Sequence, residues 1–234
     1  MNQREKNRSA AYFVTITFLF LFSCWAFIEI VDQLKRHKIE HFDTAIITFV
    51  QSWISPDLTA VMKAITFFGS AQWITTSVVI VSLLLWLKKE WLYALFFALT
   101  VSLGTEFNHL LKQIFERKRP DIQPLIHEKG FSFPSGHSMA SFVMYGALAY
   151  LLFELLEHRH AKRFGAVMAC LFILLIGTSR IYLGVHYPSD VIGGYAAAAI
   201  WLIFSLLIFH LVEFILKKKC HKRPFDREWR KNGT

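Results

Sequence analysis

The sequence predicts an all-α integral membrane protein: six transmembrane helices in one bundle, with short amphipathic helices between spans one and two. Three observations predict it. Six apolar runs, at about 10–31, 70–87, 91–111, 137–156, 164–183 and 190–216, each lie near the ~20 residues that carry a helix across ~30 Å of hydrocarbon. The 234 residues are 54% hydrophobic and only 18% charged, with 23 Phe, which is more apolar surface than a soluble core of this size would bury. Lys and Arg gather between the runs rather than on one face, which is the pattern of membrane topology. The same distribution accounts for the net charge of +9 and argues against nucleic acid as a partner. Cys24, Cys170 and Cys220 are scattered without regular spacing, so neither a disulfide framework nor a cysteine metal cluster is indicated.

The first run follows Arg4, Lys6 and Arg8. It is too long for the apolar part of a signal peptide and no small-residue cleavage site follows, so it reads as a signal anchor that stays as span one. Residues 32–69 differ. Phe42, Ala45, Ile46, Phe49, Val50 and Trp53 recur at helical spacing with polar residues between them, which describes an amphipathic helix. Ser55-Pro56-Asp57 reads as a cap and first turn, placing Leu58, Val61, Met62 and Ile65 on one face of a second. Together, at about 42–68, these two helices would lie in the interface or over the bundle mouth.

Span two ends at Lys88-Lys89, and span three enters a polar, basic stretch over 112–129. Span four opens at His137, and a basic hinge over 158–163 separates it from span five. A very short connection holding His186 leads to span six, and a basic tail starts at Lys217-Lys218-Lys219. Six spans put both termini on one side. That side carries 16 Lys and Arg against 10 on the other, so both termini are expected in the cytoplasm. The chain reads as one domain, residues 1–234, without internal repeats.

This topology returns the 112–137 connection and the His186 connection to the same membrane face, the outer one. His137, His186, Asp190, Lys112, Arg119 and Arg180 can therefore meet at one mouth. Ionisable groups at membrane depth are costly and mark function. Phe133-Pro134-Ser135-Gly136-His137 precedes span four. There Ser135 can cap the helix, Gly136 admits a ligand close to the backbone, and the helix start offers unpaired N–H donors to an anion. Lys112, Arg119 and Arg180 beside that helix start make a cage for a phosphoryl group, with Arg supplying forked donors. Asp190, four residues after His186, can fix its tautomer and leave the other ring nitrogen free to attack. His137 can face it as general acid. The set needs neither metal nor cofactor. Singly, each residue has an ordinary reading: an interfacial histidine, a snorkelling Arg180, a helix-start charge at Asp190. Jointly they do not.

Lys112-(six residues)-Arg119-Pro120, then Pro134-Ser135-Gly136-His137, then Ser179-Arg180-(five residues)-His186-(three residues)-Asp190 resembles the complete three-part signature of the type 2 phosphatidic acid phosphatase superfamily. The size and layout resemble its small bacterial members acting on phosphatidylglycerophosphate or undecaprenyl pyrophosphate. The resemblance implies a phosphohistidine on His186 oriented by Asp190, with His137 protonating the leaving oxygen and then activating water. It implies that Lys112, Arg119, Ser135, Gly136, His137 and Arg180 hold the phosphoryl oxygens, without a metal. The expected activity is dephosphorylation of a membrane lipid phosphate or pyrophosphate at the outer leaflet of a bacterial plasma membrane. A phosphotransferase using the same intermediate and a non-enzymatic lipid-phosphate carrier are the alternatives. Arg117 and Lys118, beside the motif, read as lipid-headgroup contacts. One of Glu106, Asn108 and His109 can line the pocket, Glu29 and Asp32 read as interfacial, and Gly193-Gly194 reads as a close helix contact.

Overall fold

The computed structural model describes the backbone of residues 3–121 and 124–221 and the side chains of 14–121 and 124–218. The N-terminal cations Arg4, Lys6 and Arg8, Cys220 and the basic tail past 221 lie outside the described side chains. Eight helices follow one another: α1 (Gln3–Lys35), α2 (Glu40–Gln51), α3 (Pro56–Phe67), α4 (Ala71–Leu87), α5 (Trp91–Phe115), α6 (Gly136–Leu155), α7 (Arg159–Tyr182) and α8 (Pro188–His221). Among the described residues no strand occurs.

Five of these helices are long and apolar enough to cross a membrane, and α4 joins them when taken with α3, to which it is bent by 42°. The bend follows from the sequence. Gly69 ends one helix against α7, where a Cβ would stand 2.6 Å from Ile176 Cγ2. Ser70 then caps the next, its Oγ accepting from Trp73 N at 3.2 Å.

Helix α6 is the axis of the bundle, packed against α5, α7 and α8, while α1 lies on α8 and α4 on α5. Phe97 and Val101 of α5, Met139, Val143, Met144 and Ala147 of α6, and Ala197 and Ala198 of α8 are buried between them. The outward surfaces are apolar too, with Phe18, Leu21, Phe22, Trp25 and Ile28 of α1 and Val79, Ile80, Leu83 and Leu84 of α4 all exposed. Such a surface is stable only against lipid.

One expectation needs correcting. The basic stretch 158–163 is not a hinge: α7 starts at Arg159, and Lys162 lays its ammonium 4.6 Å from the centre of the Phe153 ring. Long basic side chains favour helix and can snorkel from it, so their charge does not end the helix. Along α2 and the turn after it, Phe42, Ala45, Phe49 and Trp53 of the apolar stripe are exposed, Ile46 and Val50 are half-buried, and Asp43 and Ile47 are buried. The helix docks on α7 and α8 through Ile47, Ile181 and Val191. Beside a membrane both faces of a helix find apolar surroundings, so the apolar stripe does not identify the protein-facing one.

Candidate active site

Ser135 begins the site. It is the N-cap of α6, with its Oγ accepting from Ser138 N at 3.4 Å and Ser138 Oγ at 2.9 Å. Its own N–H donates to Asp190 O at 3.0 Å, tying the start of α6 to the start of α8. Glycine makes the approach possible, since a Cβ on Gly194 would stand 3.0 Å from Ser135 O. The expected close contact at Gly193-Gly194 is therefore present, and it presses α8 onto the turn that opens α6. On the other side, Asn108 Nδ2 donates to Pro134 O at 3.3 Å.

Asp190 sits in the first turn of α8 and accepts from Tyr187 N at 2.9 Å, the reach-back of a capping box. The same Oδ2 accepts from Ser132 Oγ at 2.5 Å and lies 3.4 Å from His186 Nδ1. Arg119 Nη1 is 3.3 Å from His186 Nε2. A guanidinium only donates, so Nε2 is the acceptor and the ring proton sits on Nδ1, facing Asp190. Burial pushes the His186 imidazole down to about 4, with Asp190 pulling the other way. The ring is neutral at pH 7 and presents a lone pair at Nε2.

A cavity of about 490 Å³ opens in front of it, between Ala71, Ile74 and Thr75 of α4 and Thr105, Asn108, His109 and Lys112 of α5. Arg119, Glu128, Gly136, His137 and His186 also line it. The bend between α3 and α4 backs His137, for a Cβ at Gly69 would lie 3.3 Å from His137 Cδ2. Arg119 is aimed by three carbonyls, donating to Gly130 O at 3.0 Å, Lys129 O at 3.1 Å and Val185 O at 2.9 Å. Lys112 Nζ donates to Phe131 O at 2.7 Å.

Five predicted site residues, Lys112, Arg119, Gly136, His137 and His186, thus line one cavity. Ser135, Arg180 and Asp190 stand behind the wall. Ser135 is fully buried with its hydroxyl in the cap. Arg180 is 1% exposed, donating to Thr66 Oγ1 at 2.8 Å and to Glu128 Oε1 at 2.7 Å. Glu128 itself lines the cavity. Burial would raise its carboxyl, but the Arg180 guanidinium outweighs that and holds it below its ordinary value. Asn108 and His109 line the cavity, whereas Glu106 and Lys118 are exposed and outside the lining.

Arg117 does not face lipid headgroups. Its guanidinium donates to Asp190 Oδ1 at 2.6 Å, Ser189 Oγ at 2.8 Å and Asp43 Oδ2 at 2.8 Å, and it lies 3.9 Å from the centre of the Tyr187 ring. Sequence reasoning missed Asp43, Ser132 and Glu128. Asp43 carried a signal, as a carboxylate one turn from Ile46 and Ile47 on an otherwise apolar stripe. Ser132 and Glu128 lie in an irregular connection, where no periodicity exists to place them. Among the described residues, no group of three or more His, Cys, Asp or Glu is placed to hold a metal ion.

Residues 89–213 match the PAP2 superfamily. Phosphatidylglycerophosphatase B of Bacillus subtilis (strain 168) is 34% identical over 198 residues, covering 83% of this chain and 91% of that protein. Undecaprenyl-diphosphatase BcrC of the same organism is 26% identical over 211 residues, covering 82% and 95%. The crystal structure of a transmembrane PAP2-type phosphatidylglycerolphosphate phosphatase from Bacillus subtilis superposes with a TM-score of 0.76 at 31% identity, covering 84% of this chain and 96% of that one. With a matched family region longer than half the chain and the signature residues gathered around one cavity, this chain belongs to the PAP2 superfamily.

Proposed function

We propose that this lipid phosphate phosphatase works without a metal, through a phosphohistidine on His186, on a lipid phosphate or pyrophosphate at the outer leaflet. The observation that carries the reading is the His186 ring itself, with Nδ1 toward Asp190 and Nε2 held by Arg119, on the wall of a cavity that Lys112, Arg119, Gly136 and His137 also line. In the first step Nε2 bonds to phosphorus, the P–O bond to the lipid breaks, and His137 gives its proton to the leaving oxygen. In the second, His137 takes a proton from water, the hydroxide bonds to phosphorus, and the N–P bond breaks to release phosphate. Lys112, Arg119 and the N–H groups opening α6 bear on the equatorial oxygens, where charge builds during in-line transfer. Arg180 joins them once Glu128 leaves it.

The cavity is lined by α4 and α5, and on this reading acyl or prenyl tails stay in the bilayer between spans while only the phosphate enters. The named activities of the relatives set the substrates to examine: phosphatidylglycerophosphate and undecaprenyl pyrophosphate, with phosphatidic acid beside them. Purified protein should release inorganic phosphate from at least one of these, and the His186→Ala protein from none. Turnover by His186→Ala would remove the covalent scheme.

The bias of Lys and Arg supports cytoplasmic termini and an extracytoplasmic cavity. Single cysteines placed at Asp121 and at Lys162 in a cysteine-free background test it with a membrane-impermeant thiol reagent on intact cells. Labelling at 121 and not at 162 is expected, and the reverse pattern would invert the topology.

A further inference from the structure

Helix α2 contributes one charged residue to its buried face. Asp43 is 1% exposed and sits in the interface that Ile47, Ile181 and Val191 form. An apolar residue would dock the helix without the cost of burying a carboxylate. The polar contacts of Asp43 all lead to the catalytic turn. Oδ1 accepts from Ser189 N at 2.9 Å, and Oδ2 accepts from Ser189 Oγ at 2.6 Å and Arg117 Nη2 at 2.8 Å. Arg117 in turn spans to Asp190 Oδ1 at 2.6 Å, with its guanidinium stacked on Tyr187.

A carboxylate in the first turn of α8 can rotate about its last bond. Ser132 and Tyr187 N hold Oδ2, but nothing on their side fixes Oδ1. Arg117 does, and Arg117 is itself held by Asp43. Hence the plane of the carboxylate is fixed, and one of its oxygens stays directed at His186 Nδ1. The forked guanidinium suits this because it reaches two carboxylates in fixed directions at once, which a lysine cannot.

We propose that Asp43 and Arg117 are positioning residues for the phosphatase reaction: they lock the rotation of Asp190, so that the interfacial helix α2 sets the orientation of the His186 ring. This rests on the reading of His186 as nucleophile. It also makes the docking of α2 on the bundle a condition for activity.

A double-mutant cycle in kcat tests it, on full-length protein in detergent with a soluble short-chain lipid phosphate. Asp43→Asn and Arg117→Met should each lower kcat about 10- to 100-fold with KM changed less than about threefold. Placed in an Asp190→Asn background, either should cost less than about twofold more, because residues that act as one unit are non-additive. Arg117→Lys should recover only part of the loss. A merely structural role predicts instead the same fractional loss with Asp190 or Asn at that position, and that outcome, or a kcat unchanged by Asp43→Asn, overturns the proposal. Asp43→Asn keeps the side-chain shape, so the cycle stands on it if Arg117→Met does not fold. His186→Ala is run alongside. Turnover in that protein would unseat the nucleophile, whereas an additive cycle with dead His186→Ala unseats only the positioning role.

Discussion

Arg180 donates to Glu128 Oε1 at 2.7 Å, so the most deeply buried cation of the cage already holds an anion. The carboxylate belongs to the connection before α6 and lines the cavity. On the proposed mechanism, an incoming phosphoryl group exchanges with it. Replacing Glu128 by Gln removes the competitor and leaves a buried guanidinium short of its partner, which raises its demand for an anion. Glu128→Gln is expected to bind inorganic phosphate several-fold more tightly, read as product inhibition. Its melting temperature should fall in phosphate-free detergent and recover when phosphate is added. Unchanged phosphate inhibition would show that Glu128 stays in place during turnover.

The orientation of His186 rests on Asp190, whose Oδ2 lies 3.4 Å from Nδ1. Asp190→Asn keeps the shape but offers an amide where a carboxylate stabilised the ring proton. A loss on the order of 10³- to 10⁴-fold in kcat is expected, by analogy with the orienting carboxylate of a Ser-His-Asp triad. Steady-state phosphate release measures it, and a loss of only a few-fold would reduce Asp190 to a helix-capping residue.

The pH dependence has a definite sign. Burial lowers the His186 imidazole from its ordinary 6.5 to about 4. Between those values a free histidine binds a proton and this one does not, so Nε2 keeps its lone pair down to about pH 4. For the free enzyme, kcat/KM corrected for ionisation of the substrate phosphate should show no loss attributable to His186 between pH 7 and 5. The same shift predicts that the fold loses stability as pH falls from 6.5 toward 4, because the unfolded chain then binds the extra proton. An acid limb centred near 6.5 that Asp190→Asn moves would contradict both.

Gly194 faces Ser135 O, where a Cβ would stand at 3.0 Å. The obstacle is backbone and cannot swing aside. Gly194→Ala should push α8 from the cap of α6, costing ~1–3 kcal/mol as overpacking does and lowering kcat through the Ser135–Asp190 tie. Thermal unfolding together with kcat checks it, and an alanine variant equal to wild type in both would show that the contact has slack.

Much of this was legible because the membrane forces a simple code. Spans announce themselves as apolar runs, and their parity brings His137 and His186 to the same end of the bundle before any coordinate is known. Lys112, Gly136, His137 and His186 lie at helix ends or in a short connection, so sequence distance fixes their place. Asp43, Ser132 and Glu128 were not legible for two physical reasons. Asp43 stands out as a carboxylate beside an apolar stripe, but a helix beside a bilayer finds apolar surroundings on both sides, so the stripe does not tell which face α2 turns toward α8. The stretch 116–135 is irregular and is held by bonds to distant carbonyls such as Val185 O, which leave no period in the sequence. Arg117 was misread for a related cause: a charge near a membrane surface has an easy partner in lipid, and only the fold shows that Asp43 and Asp190 reach it first.

The central claim is a covalent bond between phosphorus and His186 Nε2. Brief mixing of the protein with lipid carrying a labelled terminal phosphate, followed by alkaline denaturation and peptide mapping, measures it directly. The account predicts label on the peptide containing His186, stable to alkali and lost in acid, and no label on His186→Ala. Label on His137 instead, or none on a wild-type protein caught in mid-turnover, would contradict it.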